Sequence, residues 1–294
     1  MNNIKWQCRI APSLGGGFEG TPEKVWGTCD VYASYGDEPT VFFGLYGLND
    51  FHSLWRHQGR KCILWAGSDI RHFVNGYWLD EVGSIKISPK PLATWINKNC
   101  ESYVENSVEK ETLAKVGIDS KVVPSFLGDV SKFEVCYKHS SRPKVYTSVS
   151  GDNFELYGWD KIPKLARENP DIEFHLYGNS NHLDATEVFV EEMDGKELSF
   201  GHYENVFIHG QVPIEQMNAE TKEMQGALRL TEFEGFSEIV AKSLLWGQHP
   251  VSTIDYPGTI RPQDIGALKH LALPNKIGRD WVLTAVNQYP WVKK

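Results

Sequence analysis

Long apolar runs, paired cysteines and an excess of positive charge are all missing from this sequence of 294 residues. No window reaches the ~18 apolar residues a helix needs to span a bilayer, and Met1-Asn-Asn-Ile-Lys-Trp-Gln-Cys has no apolar stretch resembling a signal peptide. A soluble protein is expected, and a peripheral membrane contact through one surface patch is compatible with that composition. The five cysteines (Cys8, Cys29, Cys62, Cys100, Cys136) are odd in number and form no Cys-x-x-Cys pair. Reduced thiols and a cytoplasmic location fit this better than a disulfide framework or a structural zinc site. With 30 basic against 38 acidic residues the net charge is -8, so no field gathers phosphate backbones, and nucleic acid is not expected as a partner. No Gly-x-x-x-x-Gly-Lys-Ser/Thr run exists, which weakens a P-loop reading. The ten histidines lack His-x-x-x-His spacing, so neither a metal nor a cofactor is expected. Internal repeats are absent too, which removes solenoids.

What is present is core material: 41% of residues are hydrophobic, among them 14 Phe, 12 Tyr and 10 Trp. At ~100 to 200 residues per domain the length suits two domains or one large one. Short apolar runs such as Thr40 to Tyr46, Lys61 to Trp65 and Ile85 to Ser88 are continuous rather than alternating, as in strands buried on both faces. From Lys144 to Gly178 a strand, a polar turn, a helix stopped at Asn169-Pro-Asp and a second strand make a βαβ unit. The rhythm continues through Val206 to Gly210, Pro213 to Met224, Ala227 to Leu230, Phe236 to Trp246 and Pro250 to Ile254. A doubly wound α/β fold with parallel sheets follows. Tyr137 to Pro143 is polar and aperiodic, which places a boundary near residue 139. Residues 278 to 289 read as an amphipathic helix with Trp281, Ala285 and Val286 on one face.

Glu234-Gly-Phe-Ser follows a predicted strand and opens a helix, so its amides and the helix dipole should face the carboxyl end of the sheet, where α/β folds bind ligands. An ordinary helix cap at Ser237, with Gly235 serving the turn, is the alternative. Together the blocks Asn205 to Pro213, Gly226 to Ser237 and Leu244 to Val251 resemble the nucleotide-sugar-binding half of retaining GT-B glycosyltransferases of the GT4-like group. Trp65-Ala-Gly-Ser-Asp-Ile and Ile118 to Phe133 are compatible with the other half. The resemblance implies two Rossmann-like domains facing across a cleft: an acceptor-side domain at 1–138 that looks trimmed, a donor domain at 139–278, and a C-terminal helix at 279–294 crossing back. It also implies transfer of a sugar, with retention, from a UDP- or GDP-sugar to a hydroxyl of a glycan, lipid or small molecule, independent of metal.

The group's pattern of Glu, seven residues and Glu is met by Glu234, but its second position is Lys242. A cation cannot accept the ribose hydroxyl protons. Lys242 therefore faces a phosphate or is a solvated helix lysine. The Arg and Lys clamp expected after Val149 is replaced by Ser150-Gly-Asp-Asn, where Gly151 offers backbone donors. Arg229 is then the best phosphate cation, the alternative being a pair with Glu232 or Glu238. Glu234 is expected to hold the donor sugar, with Gly235, Phe236 and Ser237 contributing around it. Asp69 is read as a catalytic group that orients an acceptor hydroxyl or acts as a base, the alternative being a cap of the helix that follows, and His72 is a second candidate there. Gly16, in Gly15-Gly-Gly-Phe-Glu-Gly, belongs to a loop resembling one near the donor phosphates, or to a flexible surface loop. The His-Gly pair of many relatives is Tyr46-Gly47 here. Two other classes stay open: a catalytically weak or inactive GT-B protein that binds nucleotide sugars or glycans, and a different Rossmann-like enzyme such as an epimerase or dehydrogenase.

Overall fold

The computed structural model describes residues 6–14, 22–27, 29–32, 36–76, 88–149, 153–178, 191–193, 196–198 and 203–292. The chain divides into two compact units. One comprises Met1–Asp129, Phe233–Phe236 and Ala285–Lys294, the other Val130–Glu232 and Ser237–Thr284. The division after Asp129 precedes the polar stretch at which the sequence placed a boundary.

In the first unit β1 (Trp6–Ile10), β2 (Cys29–Val31), β3 (Thr40–Phe43), β4 (Lys61–Leu64), β5 (Cys100–Val104) and β6 (Lys121–Val122) form a wholly parallel sheet, ordered β2-β1-β3-β4-β5-β6. All four residues of β3 are buried, as a strand covered on both faces requires. Successive residues serve opposite faces. Phe42 and Ile63 meet Leu54 of α1 (Leu48–Arg56), Ile70 and Phe73 of α2 (Ser68–Val74), Ile96 of α3 (Lys90–Asn99) and Leu113 of α4 (Ser107–Ala114). Val41, Phe43, Cys62 and Leu64 instead meet Trp6, Trp26, Tyr103 and two residues from the C-terminal tail, Tyr289 and Trp291. The strand expected at Ile85 to Ser88 lies, except for Ser88, outside the described residues.

The second unit has a parallel sheet of β7 (Lys144–Ser148), β8 (Glu173–Tyr177), β11 (Val206–Gly210), β12 (Gly226–Arg229) and β13 (Val251–Ser252), ordered β11-β8-β7-β12-β13. A separate antiparallel pair joins β9 (Glu191–Met193) to β10 (Lys196–Leu198). From β7 the chain builds outward through β8 and β11, then returns to the other side for β12 and β13. Its helices are α5 (Ile162–Glu168), α6 (Ile214–Thr221), α7 (Glu238–Leu245) and α8 (Lys276–Ala285). Six of the eight residues of α7 are buried, so this helix is covered nearly all round. Asn205 donates its side-chain amide to the carbonyls of Ala166, Asn169 and Ile172, a structural use of the residue that opens the Asn-Val-Phe-Ile-His-Gly block.

The predicted terminal helix is α8, but most of it belongs to the second unit, where Arg279 donates to the carbonyls of Leu245 and Phe133. It is the tail after it that packs in the first unit. Asn287 turns that tail with a φ of 56°, a conformation Asn tolerates better than most side chains, and bonds the amide and carbonyl of Phe126. The rings of Tyr289 and Trp291 stack at 4.5 Å, and Trp291 meets Tyr103 edge to face at 5.2 Å. Trp291 is fully buried, so Trp291→Ala should lower stability by about 3–5 kcal/mol, the range for aromatic truncation in a core. Urea unfolding followed by circular dichroism checks this, and a loss below about 1 kcal/mol would contradict the packing.

Candidate functional site

Arg229 ends β12 and is 8% exposed. Its Nη1 donates to the carbonyl of Ser148, the last residue of β7, at 2.9 Å, and its guanidinium lies 3.8 Å from the centre of the Tyr157 ring. The contact therefore bridges β7 and β12 at their carboxyl ends, where the strand order reverses, the position at which open α/β sheets receive ligands. The two carboxylates the sequence offered Arg229 are engaged elsewhere. Glu232 pairs with Lys161 at 2.9 Å and Glu238 with Lys242 at 3.4 Å. Lys242 also reaches Asn218 Oδ1 at 3.4 Å, and its side chain is 15% exposed. It is thus held between α6 and α7 rather than solvated. Ser237 stands at the N-cap position of α7 without a side-chain capping bond.

Residues 233–236 pack in the first unit, against the segment joining β5 to α4. The sequence there, Glu105-Asn-Ser-Val-Glu109, has the spacing of a helix start, and Asn106 Oδ1 caps α4 by accepting from the Glu109 amide. The same Asn106 donates through Nδ2 to the Glu234 carbonyl at 2.6 Å. Glu105 Oε2 accepts the Phe236 amide at 2.8 Å, and Oε1 accepts the hydroxyl and amide of Ser125. A Cβ at position 235 would fall on Glu105 Oε2, so only glycine leaves room for this carboxylate. Glu109 Oε2 accepts the Glu105 amide at 2.8 Å, while its Oε1 finds no donor among the described residues.

Glu109 is fully buried and Glu105 half-buried, and loss of water around a carboxylate favours its neutral form. Burial pushes Glu105 up to about 7, against the pull of its three donors and with the Glu234 charge adding to the rise. Glu109 is raised well above the ordinary range by burial and by Glu105 and Asp69. Asp69, fully buried in the first turn of α2, accepts the amides of Leu45 at 2.8 Å and Ala66 at 3.0 Å. It holds the loops leaving β3 and β4 together. Burial pushes it up to about 7, although backbone donors oppose the shift. Tyr46 in the first of these loops bonds Ser68 Oγ at 2.9 Å, and burial raises its hydroxyl to about 12. His72 packs its ring 6.2 Å from that of Tyr46.

Of the residues singled out in the sequence, Glu234, Gly235, Phe236 and Asp69 belong to the first unit, and Arg229, Ser237 and Lys242 to the second. Gly16 and Gly151 lie outside the described residues. The Phe236 amide, expected to face the donor, is engaged by Glu105. Sequence reasoning passed over Glu105, Asn106, Glu109 and Ser125. The Asn-x-x-Glu spacing announces a helix cap, but nothing local announces that it grips a loop about 130 residues away. Among the described residues no group of three His, Cys, Asp or Glu side chains is arranged to hold a metal ion, and no helix is long and apolar enough to cross a membrane.

No family model and no curated protein sequence matches the chain. Its likenesses are to solved structures. The fold is that of the GT-B glycosyltransferases, mixed α/β with parallel sheets. HepE from Anabaena, solved with UDP and glucose, is similar over 96% of this chain and 95% of its own at 12% identity, with a TM-score of 0.52. Sucrose-phosphate synthase from Thermosynechococcus elongatus aligns over 93% of this chain and 73% of its own at 12% identity, with a TM-score of 0.53. TarM from S. aureus, solved with fondaparinux, alpha-GlcNAc-glycerol and UDP, aligns over 84% of this chain at 14% identity, with a TM-score of 0.51. The chain spans about half of TarM, 51% of its length.

The raised Asp69 carboxyl has a measurable consequence. A carboxyl with a folded pKa above its unfolded value stabilises the native state below the unfolded value, and that contribution is lost as pH rises toward about 7. Asp69→Asn removes the titration and sets an NH₂ group against a backbone N–H. The variant should be less stable than wild type at pH 5, with a gap that narrows toward pH 8. Urea midpoints at the two pH values measure it, and a gap independent of pH would contradict the assignment.

Proposed function

We propose that the protein is a glycosyltransferase moving a sugar from a nucleotide-sugar donor, UDP- or GDP-based, to a hydroxyl of a glycan, lipid or small-molecule acceptor, with retention of configuration, in the cytoplasm and without a metal. The observation that carries this reading is the buried Arg229 cation at the reversal point between β7 and β12. The GT-B fold supports it, as does the presence of UDP in the solved HepE and TarM complexes.

In such a transfer the anomeric carbon gains oxocarbenium character while the nucleoside diphosphate departs. Fixed positive potential at the leaving group, together with a fixed sugar, lowers the barrier. Arg229 supplies the potential in this reading, aided by backbone donors around Gly151 and Gly16. Glu234 holds the sugar hydroxyls, with Gly235, Phe236 and Ser237 shaping the loop and helix start beside it. Lys242 reaches a phosphate only if Glu238 and Asn218 release it, so the phosphate assignment rests on Arg229. Asp69 serves the acceptor side through the Leu45 and Ala66 loops it holds, acting as a positioning group.

A thermal-shift panel of UDP-, GDP-, ADP-, CMP- and dTDP-sugars tests the reading. A ligand bound only by the folded state adds about 2.7 kcal/mol of stability at a hundredfold excess over Kd. One nucleotide family should stabilise the wild type, and Arg229→Ala should lose most of that shift. If no nucleotide sugar raises the melting temperature, the donor site does not exist. Binding without turnover would point to a sugar-nucleotide-binding protein instead.

A further inference from the structure

We propose that Glu105 and Asn106 are positioning residues for Glu234, gripping the backbone that directly follows it so that the carboxylate meets the donor sugar in a fixed orientation. The inference rests on the reading of Glu234 as the sugar-holding residue. Neither Glu105 nor Asn106 touches the donor in this proposal, and both act through the loop.

Two hydrogen bonds define the grip. Asn106 Nδ2 donates to the Glu234 carbonyl at 2.6 Å and Glu105 Oε2 accepts from the Phe236 amide at 2.8 Å. They lie on the two peptide units that follow Glu234, so together they fix the path of Gly235 between them. Gly235 has no Cβ to hold it by packing, and glycine has the widest intrinsic backbone freedom of any residue. The carboxylate of Glu105 occupies the very space a side chain at 235 would need. Fixing this glycine from outside removes conformations that Glu234 would otherwise have to lose on binding sugar.

The grip is itself braced. Ser125 donates its hydroxyl and amide to Glu105 Oε1, the Glu105 amide is held by Glu109 Oε2, and the Asn106 side chain is oriented by the Glu109 amide it caps. Phe233, at the near end of the loop, packs against the first unit's core, with the Arg71 guanidinium 5.8 Å from the centre of its ring. A core has no need of this arrangement. Burying a carboxylate is unfavourable, and an apolar side chain would fill the same volume at lower cost. Its return is a loop held by directional bonds, as a binding group set within a fraction of an ångström requires.

The test compares UDP-glucose with UDP, which lacks the sugar that Glu234 holds, by calorimetric titration of wild type, Glu105→Ala, Glu105→Gln and Asn106→Ser. Serine keeps the helix cap of α4 but cannot reach the Glu234 carbonyl as Asn does. Glutamine keeps one acceptor for the Phe236 amide. Glu105→Ala and Asn106→Ser should weaken UDP-glucose at least tenfold while UDP changes less than twofold, and Glu105→Gln should recover most of the loss. Hydrogen exchange at the Phe236 amide should quicken in Glu105→Ala. If Glu105→Ala fails to fold, Asn106→Ser carries the same comparison. UDP-glucose affinity unchanged in the variants, or UDP and UDP-glucose falling together, would overturn the positioning role and leave the donor reading standing. If the thermal-shift panel selects another nucleotide, that nucleotide sugar and its nucleotide replace the pair; wild type binding no nucleotide sugar of the panel would overturn the donor reading and, with it, this role.

Discussion

Parallel pairing is the constraint on which the rest of this protein depends. In each large sheet every strand runs the same way, so the loops leaving the carboxyl ends gather along a single edge of that sheet. The central strands β3, β4 and β12 are buried and largely apolar, which leaves polar chemistry mainly to the strand ends. In the first unit that edge collects Leu45 and Tyr46 after β3, Ala66 to Asp69 after β4, Glu105 to Glu109 after β5 and Ser125 after β6. In the second it collects Ser148 at the end of β7 and Arg229 at the end of β12.

Crowding carboxylates at such an edge raises an electrostatic problem, and the first unit meets it mainly with backbone amides. Leu45 and Ala66 serve Asp69, Phe236 and Ser125 serve Glu105, and the Glu105 amide serves Glu109. Amide dipoles ease the desolvation of a carboxylate without cancelling its charge, so Asp69 and Glu105 rise to about 7. Asp50 shows the other solution, an ion pair with Arg9 at 2.7 Å. The amide solution has a mechanical consequence. Asp69 and Glu105 each tie together backbone segments distant in sequence, Leu45 with Ala66 and Ser125 with Phe236. Gly67, at φ 82°, is part of the same close packing, since a Cβ there would stand 3.3 Å from the Gly235 amide and 3.4 Å from Glu109 Oε1.

Much of the fold was legible because apolar runs report burial directly. Lys144 to Gly178 reads as strand, helix and strand, and β3, β4 and β12 fall where continuous hydrophobicity places them, whereas β11 forms at its apolar run with Phe207 and Ile208 exposed. Less legible was the C-terminus. The period of 278 to 289 identifies a helix, but the tail that follows has no period, and Tyr289 and Trp291 reveal their packing only beside Trp6, Trp26 and Tyr103. The site was legible in part. Arg229 stands out because a cation inside an apolar strand demands an explanation, and Glu234 because of the glycine and helix start that follow. Lys242 was singled out because it stands where the resembled group has its second Glu, and its ties to Asn218 and Glu238 come from the packing of α6 against α7.

The amino-acid sequence by itself determined the class of structure: parallel strands alternating with helices, an acidic surface balance, and a candidate cation and carboxylate beside one strand and one helix start. These follow from local physics, namely side-chain size, charge and period, which each residue carries with it. The tertiary structure alone decided that Glu105 and Asn106 hold the loop around Glu234, that Asp69 ties two strand exits together and that the tail completes the first unit's core. Those are contacts between residues tens to more than a hundred positions apart. No local signal encodes such a contact, because its energy exists only once the sheet has set both partners at the same edge or face.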